Sequence, residues 1–234
     1  MMFVVITGAT KGIGKALAFH FAKANFSLAV CARNKTDLVH LKNELLQLNP
    51  NIEVIYQTTD MSNKAEVLAF AELINKTWGK IDVLINNAGL YLTNPILREP
   101  DGLLEQMMAV NVYGPYHLTR ALLPNMMTRK QGHIFNICSV ASLKAFDDCT
   151  AYTTSKHALY GLSRSLREEL KHFNIKVTSV LPGSVYTASW EDSDVNQQRI
   201  MAPEDIAKAI LACFQLSECT VVEDLVLRPM MGDF

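Results

Sequence analysis

The chain has 234 residues, a length that one large α/β domain fills. Apolar residues make up 49% and charged residues 19%, enough for a sizeable buried core and the wrong balance for disorder. A net charge of −1 without a long basic run leaves nucleic-acid binding no electrostatic support.

Strands are expected at Phe3–Thr7, Leu28–Ala32, Ile52–Tyr56, Val83–Asn86, Ile134–Cys138, Val177–Leu181 and Val221–Leu227. Most are near-continuous apolar runs, as in parallel strands covered on both faces. Ile52, Val54 and Tyr56 alternate with polar neighbours, which suggests a strand near an edge. Between the strands lie helix-periodic segments. Ile13–Ala24 places Leu17, Phe21 and Ala24 at helical spacing, and Lys35–Leu48 carries Leu38, Leu41, Leu45 and Leu48 on one stripe. Ser62 is a candidate cap for Asn63–Trp78. Leu103–Met127 reads as one apolar helix, and Leu159, Leu162, Leu166 and Leu170 stripe the next. Pro203 suits the first turn of Pro203–Leu216, with Glu204 and Asp205 where the helix dipole favours acids. This alternation implies a doubly wound α/β (Rossmann) fold: one domain over residues 1–234, with a seven-stranded, mostly parallel sheet and helices on both faces. The polar stretch Thr187–Arg199, with Trp190, reads as an excursion from it.

Cys31, Cys138, Cys149, Cys213 and Cys219 form no C-x-x-C, so neither a disulfide framework nor a metal site is expected. Reduced, packed thiols in a cytoplasmic protein are the expectation. Met1–Ile6 lacks the basic flank and length of a signal core, and no run approaches the roughly 18 apolar residues of a membrane span.

Thr7-Gly8-Ala9-Thr10-Lys11-Gly12-Ile13-Gly14 joins the first strand to the first helix. Glycines there let the backbone turn tightly and approach a pyrophosphate, and the helix N-terminus offers unpaired N–H groups. A glycine turn alone equally serves any tight strand–helix connection. After the second strand, Cys31-Ala32-Arg33-Asn34 lacks the acid that would bind an NAD ribose hydroxyl. Arg33 can clamp a 2′-phosphate with its planar fork, and Lys11 adds a second cation. NADP(H) is therefore expected before NAD(H).

Tyr152 and Lys156 stand at i and i+4, thirteen residues beyond Ser139. A tyrosine of ordinary pKa, about 10, is a poor proton donor or acceptor near neutrality, and a neighbouring ammonium favours its phenolate. Tyr152 would then be the general acid of a carbonyl reduction, with Ser139 hydrogen-bonding the carbonyl oxygen. Taken singly, these are equally an amphipathic helix surface and a strand-ending serine.

Together these motifs resemble the short-chain dehydrogenase/reductase family over essentially the whole chain. Thr7 to Gly14 matches its T-G-x-x-x-G-x-G motif, and Asn86-Asn87-Ala88-Gly89 its N-N-A-G. The resemblance implies a nicotinamide-dependent oxidoreductase with Asn111, Ser139, Tyr152 and Lys156 as catalytic residues. Asn111, in N-x-x-G, would hold a water linking Lys156 to solvent, and Lys156 would also touch the nicotinamide ribose. Gly8, Thr10, Lys11, Gly12, Ile13, Gly14, Arg33, Asn87, Ala88 and Gly89 would bind cofactor. Asp60 would contact adenine, and Pro182, Gly183 and Thr187 would lie beside the nicotinamide.

Leu90, Tyr91, Val140, Phe146, Tyr186 and Trp190 follow strand ends and would line an apolar pocket for a small-molecule ketone or aldehyde. Reductases of 3-oxoacyl groups on acyl carrier protein share the catalytic pattern. The ending Leu227–Phe234 looks more like bacterial sepiapterin-reductase-type members. A catalytically silent dinucleotide sensor is the alternative of another class, although such proteins lose the Tyr or Lys retained here. The helices Leu103–Met127 and the one after Tyr152 would pair with their copies in a homodimer or homotetramer.

Overall fold

A computed structural model describes residues 1–187 and 199–233. The expected excursion at Thr187–Arg199, including Trp190, lies mostly outside them. Among the described residues, seven strands are flanked by seven α-helices: β1 (Met2–Thr7), α1 (Gly12–Lys23), β2 (Phe26–Ala32), α2 (Lys35–Leu48), β3 (Val54–Thr58), α3 (Lys64–Trp78), β4 (Val83–Asn86), α4 (Leu103–Met108), α5 (Gly114–Arg129), β5 (Gly132–Ile137), α6 (Thr150–Leu170), β6 (Ile175–Pro182), α7 (Pro203–Gln215) and β7 (Asp224–Leu227). The strand order is β3-β2-β1-β4-β5-β6-β7, and every pairing is parallel.

Alternation along each strand feeds two separate cores. Val4, Ile6, Leu28, Val30, Val83 and Ile85 pack on one face with Leu17 and Phe21 of α1, Leu38 and Leu45 of α2, and Ile206 and Ile210 of α7. Val5, Ala29 and Leu84 point the other way, to Phe70 and Ile74 of α3 and Leu118 and Leu122 of α5. Both faces are therefore buried, which is why these strands read as continuous apolar runs.

Several expected boundaries move. The third strand begins at Val54, two residues later than expected, although Ile52 is buried. Ile52 anchors the chain before the ladder starts, so its apolar character marks packing and not pairing. The alternating pattern did place this strand at an edge. The last strand shortens to Asp224–Leu227. Asn63, not Ser62, caps α3, accepting from Ala65 N and Glu66 N, while the Ser62 hydroxyl donates to Asp60 Oδ1 at 2.7 Å. The expected helix Leu103–Met127 is interrupted by a widened π turn at Ala109–Tyr113. Leu159 and Leu170 are buried, and Leu162 and Leu166 are packed beside them. Part of this leucine stripe is therefore packed on the chain's own cores.

Candidate active site

The chain crosses from β3 back past β1 to β4, so the connections leaving the carboxyl ends of β1 and β4 run to opposite faces of the sheet. A cleft opens at such a switch point. Here it measures about 1190 Å³. Of the candidate residues, Gly8, Thr10, Lys11, Gly12, Ile13, Gly14, Arg33, Asp60, Asn87, Ala88, Gly89, Ser139, Tyr152, Lys156, Pro182, Gly183 and Thr187 all line it.

The glycine loop is crowded by the protein itself. Gly8 has φ +64°, and a Cβ there would come within 2.9 Å of Ala88 Cα. A Cβ on Gly14 would run into the Gly8 carbonyl and lie 2.6 Å from Asn87 Nδ2. The Thr7 hydroxyl accepts from Asn87 N at 3.0 Å and Ala88 N at 2.9 Å, tying the loop to the end of β4. The glycines thus allow β1 and β4 to converge as well as leaving the cleft wall bare. The N-terminus of α1 has no side-chain cap and no acid in its first turn, and Lys11 precedes it. Uncapped N–H groups and a cation suit a phosphate group, so these residues fit a dinucleotide.

At the opposite end, α6 brings Tyr152 and Lys156 to the cleft beneath the turn that follows β5. Ser139 lies in that turn, two residues beyond the strand, and its hydroxyl accepts from Ala141 N at 3.1 Å. The Ser142 hydroxyl donates to the Lys156 carbonyl at 2.8 Å, locking the turn to α6. Lys156 Nζ donates to the Ile137 carbonyl at 2.9 Å and lies 5.7 Å from the centre of the Tyr152 ring. Asn111 is fully buried and stands behind the cleft wall. It accepts from Leu90 N at 2.7 Å and donates to Leu90 O at 3.0 Å and Ser155 Oγ at 2.9 Å. The π turn supplies this position.

The expected downward pull of the ammonium on the phenol is not what governs Tyr152. Burial dominates and pushes the phenol up to about 12, while the hydrogen-bonded Ser139 hydroxyl draws it part of the way back. The same desolvation pulls Lys156 down to about 8. Both shifts follow from one cause, the penalty on charge in a site shielded from water.

Leu90, Tyr91, Val140 and Phe146 line the cleft as expected, but Tyr186 does not. Tyr91 meets Tyr152 edge-on, ring centres 4.7 Å apart. Cys138 and Cys149, read from sequence as packing residues, also line the cleft; burial raises both thiols, Cys138 to about 12. Asp37, Met61, Gln106, Asp147, Ser184 and Asp233 line it without having been anticipated. Met61, Asp147 and Ser184 each sit one position from a residue already singled out for the cleft, which is the signal that could have found them. Asp37, Gln106 and Asp233 have no such signal. At the Arg33 end, Asp60 is held below the usual carboxylate range by the Ser62 N–H first and by the field of Arg33 last.

A family model described as short chain dehydrogenase matches residues 2–198. A sepiapterin reductase of Chlorobaculum tepidum is 37% identical over 240 residues, covering 98% of this chain and 97% of that protein. An uncharacterised oxidoreductase of Staphylococcus saprophyticus is 31% identical over 226 residues, with coverage of 97% and 96%. Among solved structures, an alcohol dehydrogenase of the archaeon Thermococcus sibiricus, complexed with 5-hydroxy-NADP, superposes with a TM-score of 0.91 at 27% identity, covering 98% of this chain and 97% of that one. A metagenomic short-chain oxidoreductase in complex with NADP gives 0.86 at 31% identity, with the same coverage.

Proposed function

The chain belongs to the short-chain dehydrogenase family and is an NAD(P)-dependent oxidoreductase; from that premise we propose that it reduces a ketone or aldehyde with NADPH, Tyr152 delivering the proton. The observation that carries this reading is the meeting of Ser139, Tyr152 and Lys156 at one end of a cleft whose other end is the glycine loop. Bound nicotinamide supplies hydride. The chain's own residues do the rest. The Ser139 hydroxyl donates to the substrate carbonyl oxygen and orients it beside the Tyr152 hydroxyl. Tyr152 passes its proton to that oxygen as negative charge develops. A phenol held near 12 keeps its proton throughout the neutral range, which suits the reducing direction. Lys156 and Tyr152 would also help hold the cofactor, Lys156 at its nicotinamide ribose, since both line the cleft. Asn111 braces the Leu90 backbone and α6, and the family resemblance assigns it a water leading from Lys156.

NADPH is favoured over NADH because Arg33 and Lys11 line the cleft and Ala32 stands where an acid would bind a ribose hydroxyl. The NADP held by the metagenomic relative supports the same choice. The remaining cofactor contacts are assigned to Gly8, Thr10, Gly12, Ile13, Gly14, Asp60, Asn87, Ala88, Gly89, Pro182, Gly183 and Thr187. The aromatic walls Tyr91 and Phe146 favour a flat or ring-bearing carbonyl, and the sepiapterin reductase relative points toward a pteridine-type substrate.

We also propose that the chain works as a homodimer or homotetramer, because Leu104 of α4, Tyr113 of the π turn and Tyr116 of α5 are large apolar side chains left exposed. Cytoplasmic residence is supported by five free cysteines, four of them buried.

A panel of pteridine, aromatic, aliphatic and 3-oxoacyl carbonyls, followed by loss of NADPH absorbance, tests the activity. Turnover of any member excludes a silent dinucleotide sensor. Absence of turnover across the panel, with NADPH still bound, would favour the sensor.

A further inference from the structure

The connection from β4 to α4 is laid along the start of α6 and tied to it. Leu90 is held at both its N–H and its carbonyl by Asn111. Further on, Asn94 N donates to the Asp148 carbonyl at 2.8 Å, and Glu99 Oε1 accepts from Ala151 N at 3.2 Å. Tyr91 stands just after the first of these ties and lines the cleft. Its ring meets Tyr152 with the planes at 80°, and its hydroxyl oxygen lies 4.0 Å from Cys149 Sγ. The rest of the residue, 51%, is exposed. On another side Tyr152 packs with Leu90 against Leu103, Met107 and Ala151. Among the described residues, the other polar and titratable groups facing Tyr152 come from two elements. Cys138 and Ser139 belong to the turn after β5, while Cys149 and Lys156 belong to α6 and its N-cap.

We propose that Tyr91 is a positioning residue for the proton donor: its ring, carried on the tied connection, is the wall that keeps water from Tyr152 and fixes the plane of its phenol. The inference rests on the reading of Tyr152 as proton donor and adds the group that holds that donor in place. An edge-on pair sets the positive rim of one ring against the negative face of the other, so it favours one relative orientation. Half of Tyr91 faces solvent, so the core does not depend on it. Removing the ring opens the phenol of Tyr152 to water from the cleft. The rise that burial gives Tyr152, to about 12, is then partly lost. Tyr91 is itself pushed up to about 12, by burial first, so it carries no charge in the neutral range and acts through its ring.

The test compares wild type, Tyr91→Ala and Tyr91→Phe, each beside its own Tyr152→Phe counterpart. Subtracting the counterpart's tyrosinate absorbance leaves the ionisation of Tyr152, with far-ultraviolet circular dichroism marking the pH range over which the fold persists. Wild type should show little Tyr152 ionisation below about pH 11, and Tyr91→Ala should lower the midpoint by about one unit or more, toward the ordinary value of about 10. Its kcat with NADPH should fall about tenfold or more, as for any misplaced reacting group. NADPH affinity should stay within about twofold, because the glycine loop and Arg33 lie across the cleft. Tyr91→Phe keeps the ring and should restore both midpoint and kcat. Tyr91→Leu takes the place of the alanine variant if that one folds poorly, with the same direction expected. An unmoved midpoint without the ring would overturn the proposal. So would a raised KM alone, which would make Tyr91 only a substrate wall, or a Tyr91→Phe midpoint as low as that of Tyr91→Ala, which would assign the effect to the hydroxyl. If Tyr152→Phe alone left turnover intact, the proton-donor reading would fall, while the ionisation midpoints would still judge Tyr91 as the wall over Tyr152.

Discussion

Tyr152 and Lys156 show how burial, more than pairing, sets the chemistry of single residues in this cleft. Tyr152→Phe keeps the ring and its edge-on contact with Tyr91, so folding and NADPH affinity should survive. Turnover should fall by about 10²–10⁴, the usual contribution of a general acid; a near wild-type rate in single-turnover assays would move the proton source elsewhere. Lys156 carries a stability signature. Its folded pKa of about 8 lies below its ordinary 10.5. Between those values the unfolded chain binds the extra proton, so stability rises with pH across that window, and below it the buried ammonium is a standing cost. Lys156→Met should therefore stabilise the protein at pH 7 by up to about 3 kcal/mol while lowering activity. The gain should vanish above about pH 10.5, where the lysine is neutral in both states, as denaturant titrations at the two pH values will show. At the other end, Arg33→Ala should weaken NADPH by about 1.5–3 kcal/mol and NADH much less. Equal losses in parallel titrations would remove Arg33 from the 2′-phosphate. Arg33 and Lys11 were readable from sequence because the missing acid and the present cations sit in one short run. The rise in Tyr152 was not, since its desolvation comes from residues distant in the chain.

Among the elements, the β1–α1 connection was legible down to each glycine, but its reason was only half visible. Approach of a phosphate accounts for bare backbone; the convergence of β1 on β4 requires Gly8 and Gly14 even without a ligand. Gly14→Ala should consequently lower the thermal midpoint of the protein alone, at a cost of about 1–3 kcal/mol from overpacking. An unchanged midpoint with lost cofactor affinity would show that the glycine serves the ligand only. The π turn at Ala109–Tyr113 had no signal in the periodicity, because one wider turn inside a helix leaves the apolar stripe nearly intact. Asn111 was nevertheless found, through its N-x-x-G context. Its place behind the cleft wall, bonded to Leu90 and Ser155, came from the packing of α6 against that turn.

For the whole molecule, association is the property most open to test. The leucines of α6 pack on the chain's own cores, Leu162 and Leu166 only in part, while Tyr113 of the π turn and Tyr116 of α5 are exposed and open to a twofold contact. Sedimentation at micromolar concentration should give at least a dimer, and Tyr113→Glu with Tyr116→Glu should shift it toward monomer. A wild-type monomer would contradict the assembly. The seven-stranded parallel architecture, the cleft at the carboxyl ends of β1 and β4 and the majority of the residues lining it were determined by sequence alone. Strand–helix alternation, glycine spacing and a Tyr-x-x-x-Lys pair are local patterns, and local patterns survive in one dimension. The tertiary structure decided which face of α6 is core, that Ile52 packs without pairing, that Tyr152 and Lys156 are shifted by desolvation, and that Tyr91 stands edge-on to Tyr152. Each of these depends on which distant segments share a space, and burial and long-range contact have no period along the chain for a sequence to display.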